Sequence, residues 1–163
     1  AVEPIPENLA LVRMNLEANG VDQRAELVSG LAGDPGNGLI RYAFRDSETA
    51  IHHAFIGNNS VAVPGGVHQA MRVHSWTMAE IVGDRPVEAV KIDCEGGEFA
   101  VWRSCDVGAV PLWFGEWHPN PVTEPYGSRA WTQADVLAAL GATHDVTFSG
   151  PEGGPGGFRA LLR

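Results

Sequence analysis

Residues 87–99 read VEAVKIDCEGGEF. The valines, the alanine and Ile92 make residues 87–92 a short apolar run rich in β-branched side chains. That pattern predicts a buried strand. The run ends on Asp93, Cys94 and Glu95. Gly96-Gly97 then turns the chain, and Phe99 with Trp102 predicts a following helix. A buried strand that delivers carboxylates into a glycine turn and a helix is a unit of an α/β sheet. In such sheets ligands bind at the carboxyl ends of the strands.

The segments on either side extend the pattern. Residues 110–114 form a second apolar run, which leads into Gly115-Glu116-Trp117-His118-Pro119. Thr132 and Asp135 have capping-box spacing. They open a predicted helix through Leu137 and Leu140, closed by Gly141. Residues 145–148 and 158–162 are strand-like, and the intervening PEGGPGG is long enough to make them a hairpin.

Upstream, residues 1–3 read as the tail of a strand. Pro6 fits the first turn of a helix. Leu9, Val12 and Leu16 recur at helical spacing until Asn19-Gly20. Residues 25–28 predict a second short strand, and residues 29–38 a turn-rich loop. Residues 39–73 are the least regular: short apolar runs at 54–56 and 61–63 are punctuated by Asn58-Asn59 and Pro64-Gly65-Gly66, and residues 67–73 form a further candidate strand. Thr77 and Glu80 form another capping-box pattern before Ile81-Val82. The alternation predicts a single α/β sandwich domain over residues 1–163, mostly parallel, with an antiparallel hairpin at its end.

Composition narrows the function. The chain has 163 residues, is 44% hydrophobic and carries a net charge of -9. Its basic residues are scattered arginines and one lysine, Lys91, a balance that repels a phosphate backbone. Nucleic acid is therefore not an expected partner, and no apolar run approaches the roughly 20 residues of a membrane span. Acidity does suit a cationic ligand such as a sulfonium. Two cysteines are too few for a disulfide scaffold, which suggests reduced thiols and a cytoplasmic location. Asn58-Asn59-Ser60 matches a glycosylation sequon, but nothing else reads as secreted.

Four polar groups fall at predicted strand ends and would share one rim. Glu3 could accept ribose hydroxyls or simply place an acid at a helix start. Asp34 could read an adenine amine or serve the Asp-Pro-Gly turn. Asp93 and Glu95 alternate, as do Glu116 and His118. Each pair could hold a metal, orient a substrate hydroxyl or act as a base, or be structural, with one of Asp93 and Glu95 capping the next helix while the other is solvated and His118 packing beside Pro119. Cys94 is expected to pack inward.

These motifs together resemble the FkbM-type methyltransferases. IDCEGGE resembles their I-D-x-E-G-x-E segment. VEPIPENLALVRMNLEANG resembles their E-P-x-P-x-N segment and its helix, SGLAGD their A-x-G-D loop, and FGEWHP their late E-x-H element. VHSWTMAEIV falls where that family has a short strand and a helix start, although Thr77 to Glu80 departs from its pattern. The motifs run in order from Val2 to about Pro119.

The resemblance implies a Rossmann-like class I methyltransferase sandwich using S-adenosylmethionine to methylate a hydroxyl of a small molecule or sugar. It places Glu3 on the ribose, Ala32, Gly33 and Asp34 at the adenine, and Asp93 near the transferred methyl group. Glu95, Glu116 and His118 would line the acceptor pocket. Asp93 or His118 would take the hydroxyl proton, and no metal ligand is implied. Low lysine with abundant arginine, glycine and alanine hints at a GC-rich bacterial source and so at natural-product or glycan tailoring.

In that fold the first strand and its glycine-rich turn would precede Glu3. The chain begins at Ala1 rather than at a methionine, which suggests part of a longer protein. Two other readings follow from the same residues. One is a divalent-metal enzyme built on the Asp93, Glu95, Glu116 and His118 rim, using magnesium or manganese. The other is a non-catalytic binding module.

Overall fold

The computed structural model describes residues 1–44, 67–94, 96–119, 131–150 and 156–163. The sequon at Asn58, the apolar runs at 54–56 and 61–63, Pro64-Gly65-Gly66, Glu95 and most of the PEGGPGG tract lie outside the described residues. In chain order the elements are β1 (Val2–Glu3), α1 (Pro6–Ala18), β2 (Val28–Ser29), β3 (Leu31–Ala32), β4 (Gly36–Phe44) and β5 (Val67–Trp76). They continue with α2 (Met78–Val82), β6 (Ala89–Ile92), α3 (Glu98–Arg103), β7 (Leu112–Trp117), α4 (Gln133–Leu140), β8 (His144–Ser149) and β9 (Gly156–Leu162).

The fold is mixed α/β, but its described strands form three small sheets rather than one mostly parallel one. β1 and β2 make a parallel pair, Val2 opposite Val28 and Glu3 opposite Ser29. β5 is the middle of a second sheet, ordered β3-β5-β4. There the sequence reading needs correction. Residues 29–38 are not only a loop, because β3 pairs parallel with the end of β5 while β4 begins at Gly36 and runs antiparallel to it. Pairing to both edges of one distant strand leaves no local signature. Residues 25–28 yield strand only from Val28, because Asp22–Arg24 forms a 3-10 turn.

The largest sheet has four strands in the order β6-β7-β9-β8. β6 and β7 are parallel, with Ile92 opposite Gly115. β9 runs antiparallel to both β7 and β8, and the predicted C-terminal hairpin is β8–β9. One face of this sheet carries the core. Ile92, Trp113, Trp117, Phe158 and Ala160 pack there against Phe99 and Trp102 of α3 and Val136 and Leu140 of α4. The other face presents Lys91, Phe114, Arg159 and Thr147, which are exposed and in register across the four strands. His144 is a fully buried polar residue satisfied within the core, its ring 2.8 Å from the Val110 carbonyl and 2.7 Å from Thr143 Oγ1.

Both predicted capping boxes form. Thr77 and Glu80 cap α2, and Thr132 and Asp135 cap α4. α1 starts with Pro6 in its first turn and ends at Asn19, as its spacing predicts, but it buries none of its residues. Leu11 and Met14 are exposed. Among the described residues no helix is long and apolar enough to cross a membrane.

Candidate functional site

β6 and β7 end side by side, and their carboxyl ends carry the polar groups. β6 stops at Ile92, so Asp93 leaves the sheet as its first residue beyond the ladder. β7 carries Glu116 and ends at Trp117, which puts His118 just past the strand. Gly115 makes this approach possible. Its φ is +144°, and a Cβ at that position would overlap the Ile92 carbonyl oxygen. A side chain one residue before Glu116 would thus push the two strand ends apart.

Asp93, Glu116 and His118 converge there, with one ligand-type atom from each lying within 4.8 Å of the others. His118 Nε2 is 3.9 Å from Glu116 Oε2. The two carboxylates are exposed and the histidine is buried. Lys91 Nζ sits 3.6 Å from Asp93 Oδ2 and offsets part of the acidic charge.

Beneath the cluster lies Glu98, which the sequence reading did not single out. It is the first residue of α3 and is fully buried. Its Oε1 accepts the Cys94 amide at 3.0 Å and lies 2.9 Å from His118 Nδ1. A carboxylate oxygen accepts, so Nδ1 carries a hydrogen, and in the neutral ring the lone pair falls on Nε2, the nitrogen turned toward Glu116. Oε2 of Glu98 is buried and has no hydrogen-bond partner among the described residues. In sequence Glu98 is an acid in the first turn of a helix, a position that usually faces solvent. Its partner is 20 residues away, so spacing alone gives no sign of burial.

The other predicted residues are placed less tightly. Glu3 ends β1, and its Oε1 accepts the Ile5 amide at 2.8 Å at the start of α1. One of its oxygens therefore serves the helix start. Ala32 ends β3, and the Gly33 amide donates to the Trp76 carbonyl at 2.8 Å. Gly33 has φ +150°, and a Cβ there would lie 3.0 Å from Ala100 Cβ. That contact brings the 32–34 loop against α3, two residues from Glu98. Asp34 is exposed on this loop, and Glu95 lies outside the described residues. Cys94 packs partly buried against the core, as expected.

The chain matches no protein-family model, no curated protein and no solved structure.

The aromatic residues near the site divide between the core and the open sheet face. Trp113 and Trp117 are fully buried core, and Trp131 stacks on Phe99 with ring centroids 3.9 Å apart. Phe114 points to the open face. With Lys91, Arg159 and Thr147 it lines a cavity of about 370 Å³ that also includes Asp93 and Glu116. The polar cluster therefore borders a space large enough for a small molecule.

Proposed function

We propose that this chain is an S-adenosylmethionine-dependent O-methyltransferase of Rossmann-like, FkbM-type character, acting on a hydroxyl of a small molecule or sugar. The observation that carries this reading is the convergence of Asp93, Glu116 and His118 at the carboxyl ends of adjacent parallel strands. The strand order supports it. One strand laid between β1 and β6 would join the β2-β1 pair to the β6-β7-β9-β8 sheet. That is where a class I methyltransferase sheet has its first strand, which has no counterpart among the described residues.

The residues present fit the cofactor's charge and polarity. Glu3 keeps one carboxylate oxygen for ribose hydroxyls while the other holds Ile5 N–H. Asp34, exposed beside the Gly33 turn, is available to an adenine amine. Asp93 and Glu116 supply negative charge where a sulfonium would lie. Bound S-adenosylmethionine supplies an electrophilic methyl group with a good leaving group.

The chain's own contribution is positioning and proton management. The 370 Å³ cavity receives the acceptor beside Asp93 and Glu116. Asp93 accepts a hydrogen bond from the acceptor hydroxyl. Glu98 holds the His118 ring with Nε2 turned toward Glu116, which lines that cavity. The Nε2 lone pair can receive the hydroxyl proton itself or hold a cation that acidifies the hydroxyl.

Isothermal titration with S-adenosylhomocysteine tests the reading. Saturable binding that is weakened in Glu3→Ala and Asp34→Ala supports it, together with tritiated methyl transfer to a panel of polyols and sugars. Absence of both binding and transfer in a protein that also carries the first strand and its glycine-rich turn rules it out.

A further inference from the structure

We infer that Asp93, Glu116 and His118 form a site for one divalent transition cation of the Mn²⁺ type. Three features of the geometry carry this. First, the donor set is two carboxylate oxygens and one imidazole nitrogen. Oxygen ligands alone favour Mg²⁺ or Ca²⁺, whereas a mixed oxygen and nitrogen set favours a borderline cation. Second, the donors lie within 4.8 Å of one another, and His118 Nε2 is 3.9 Å from Glu116 Oε2. Ligands of one such ion stand roughly 3 to 4 Å apart. Small rotations of the exposed Asp93 and Glu116 close the difference, while the buried His118 stays fixed.

The third feature is independent of the cluster. A metal-binding histidine typically donates its other ring N–H to a carboxylate, which sets the tautomer and strengthens the ligand. Glu98 supplies that partner to His118 Nδ1 at 2.9 Å from a fully buried position. Its second oxygen, Oε2, is buried and unpartnered among the described residues. A buried carboxylate with one bare oxygen, held against a histidine, is a costly arrangement for a solvated surface patch. A cation on Nε2, across the ring from Glu98, spreads positive charge toward Nδ1 and strengthens its hydrogen bond to this carboxylate.

Three protein ligands leave the remaining positions to water or substrate. Facing the cavity, such a cation could bind the acceptor hydroxyl and lower its pKa, with His118 acting as ligand and not as base. This last use rests on the methyl-transfer reading, but cation binding does not.

The test is Mn²⁺ binding to the chelator-treated protein, followed by loss of the free-ion electron paramagnetic resonance signal and by calorimetry. The expected result is one saturable site at or below about millimolar concentration. Asp93→Asn and Glu116→Gln, both exposed and tolerant of change, should each weaken it at least tenfold. Glu98→Gln should weaken it about 10- to 100-fold without touching the ion. Lys91→Met, which removes the competing ammonium, should tighten it roughly threefold. Glu80→Gln, a distant exposed acid, should change nothing. No saturable binding, or affinity unaltered in the Asp93→Asn/Glu116→Gln double variant, overturns the proposal. Binding of Mn²⁺ without S-adenosylhomocysteine upholds the site, and in a protein that also carries the first strand it counts against methyl transfer. The reverse outcome overturns the site alone.

Discussion

Glu98 and His118 meet across 2.9 Å, joining the first turn of α3 to the end of β7. Because Glu98 is fully buried, the contact also determines whether neighbouring polar groups are satisfied. Glu98→Ala removes the acceptor for both His118 Nδ1 and the Cys94 amide. Losing this shared acceptor should lower stability by about 1–3 kcal/mol. Glu98→Gln keeps an acceptor oxygen and should cost about half as much. Urea unfolding tests this through midpoints that shift while the slope stays constant.

Asp93 behaves differently because it is exposed. Its only described ion pair, with Lys91 at 3.6 Å, is open to solvent. Such pairs contribute little, so Asp93→Asn should leave stability within about 0.5 kcal/mol of the parent. Under the methyl-transfer reading the same change should cut turnover about a hundredfold or more. A variant with parental unfolding and parental turnover would remove Asp93 from the site.

Gly115 tests the geometry that brings the strand ends together. Alanine there would have to hold φ near +144° and would overlap the Ile92 carbonyl oxygen. Gly115→Ala should cost about 3 kcal/mol, and the site should be lost with it. Gly36 also has positive φ, but a Cβ there meets nothing within 4 Å, so Gly36→Ala should be the milder change. Parallel thermal melts compare the two.

These contrasts explain how much of the molecule could be read from its residues. The capping boxes at Thr77 and Thr132 were legible because donor, acceptor and helix start lie within four residues. The β8–β9 hairpin was legible because its strands flank one loop. β4 with β5, and β9 with β7, pair with distant partners, and apolar alternation does not name a partner. At the site, Asp93, Glu116 and His118 stood out as polar groups ending apolar runs. Glu98 did not, since its partner is a histidine 20 residues away, just past β7.

The capping box on α4 gives a small, well-defined effect. Thr132 N–H donates to Asp135 Oδ2 at 2.8 Å, and Asp135 N–H donates to Thr132 Oγ1 at 3.4 Å. α4 is only eight residues long and anchors Val136 and Leu140 in the core. Thr132→Ala should lower stability by about 1 kcal/mol, and Thr132→Ser by much less. Equal losses in the two variants would show that the methyl group matters rather than the hydroxyl.

Cys105 provides the pH-dependent prediction. Burial, assisted by the charge of Asp106, pushes its thiol up to about 11. The thiolate is the reactive form, so alkylation by iodoacetamide at pH 8 should be slow in the folded state and fast in urea. Cys94→Ala isolates this thiol. The sign for stability follows from the raised value. An unfolded thiol ionises near pH 8.5, whereas the folded one keeps its proton to about pH 11. The unfolded state therefore binds fewer protons in this window. The stabilising contribution is whole below about pH 8.5 and is lost as pH rises through 11. Unfolding midpoints of Cys94→Ala should fall across that range relative to Cys94→Ala/Cys105→Ala. Parallel pH profiles for the two proteins would place the folded Cys105 thiol in the ordinary range.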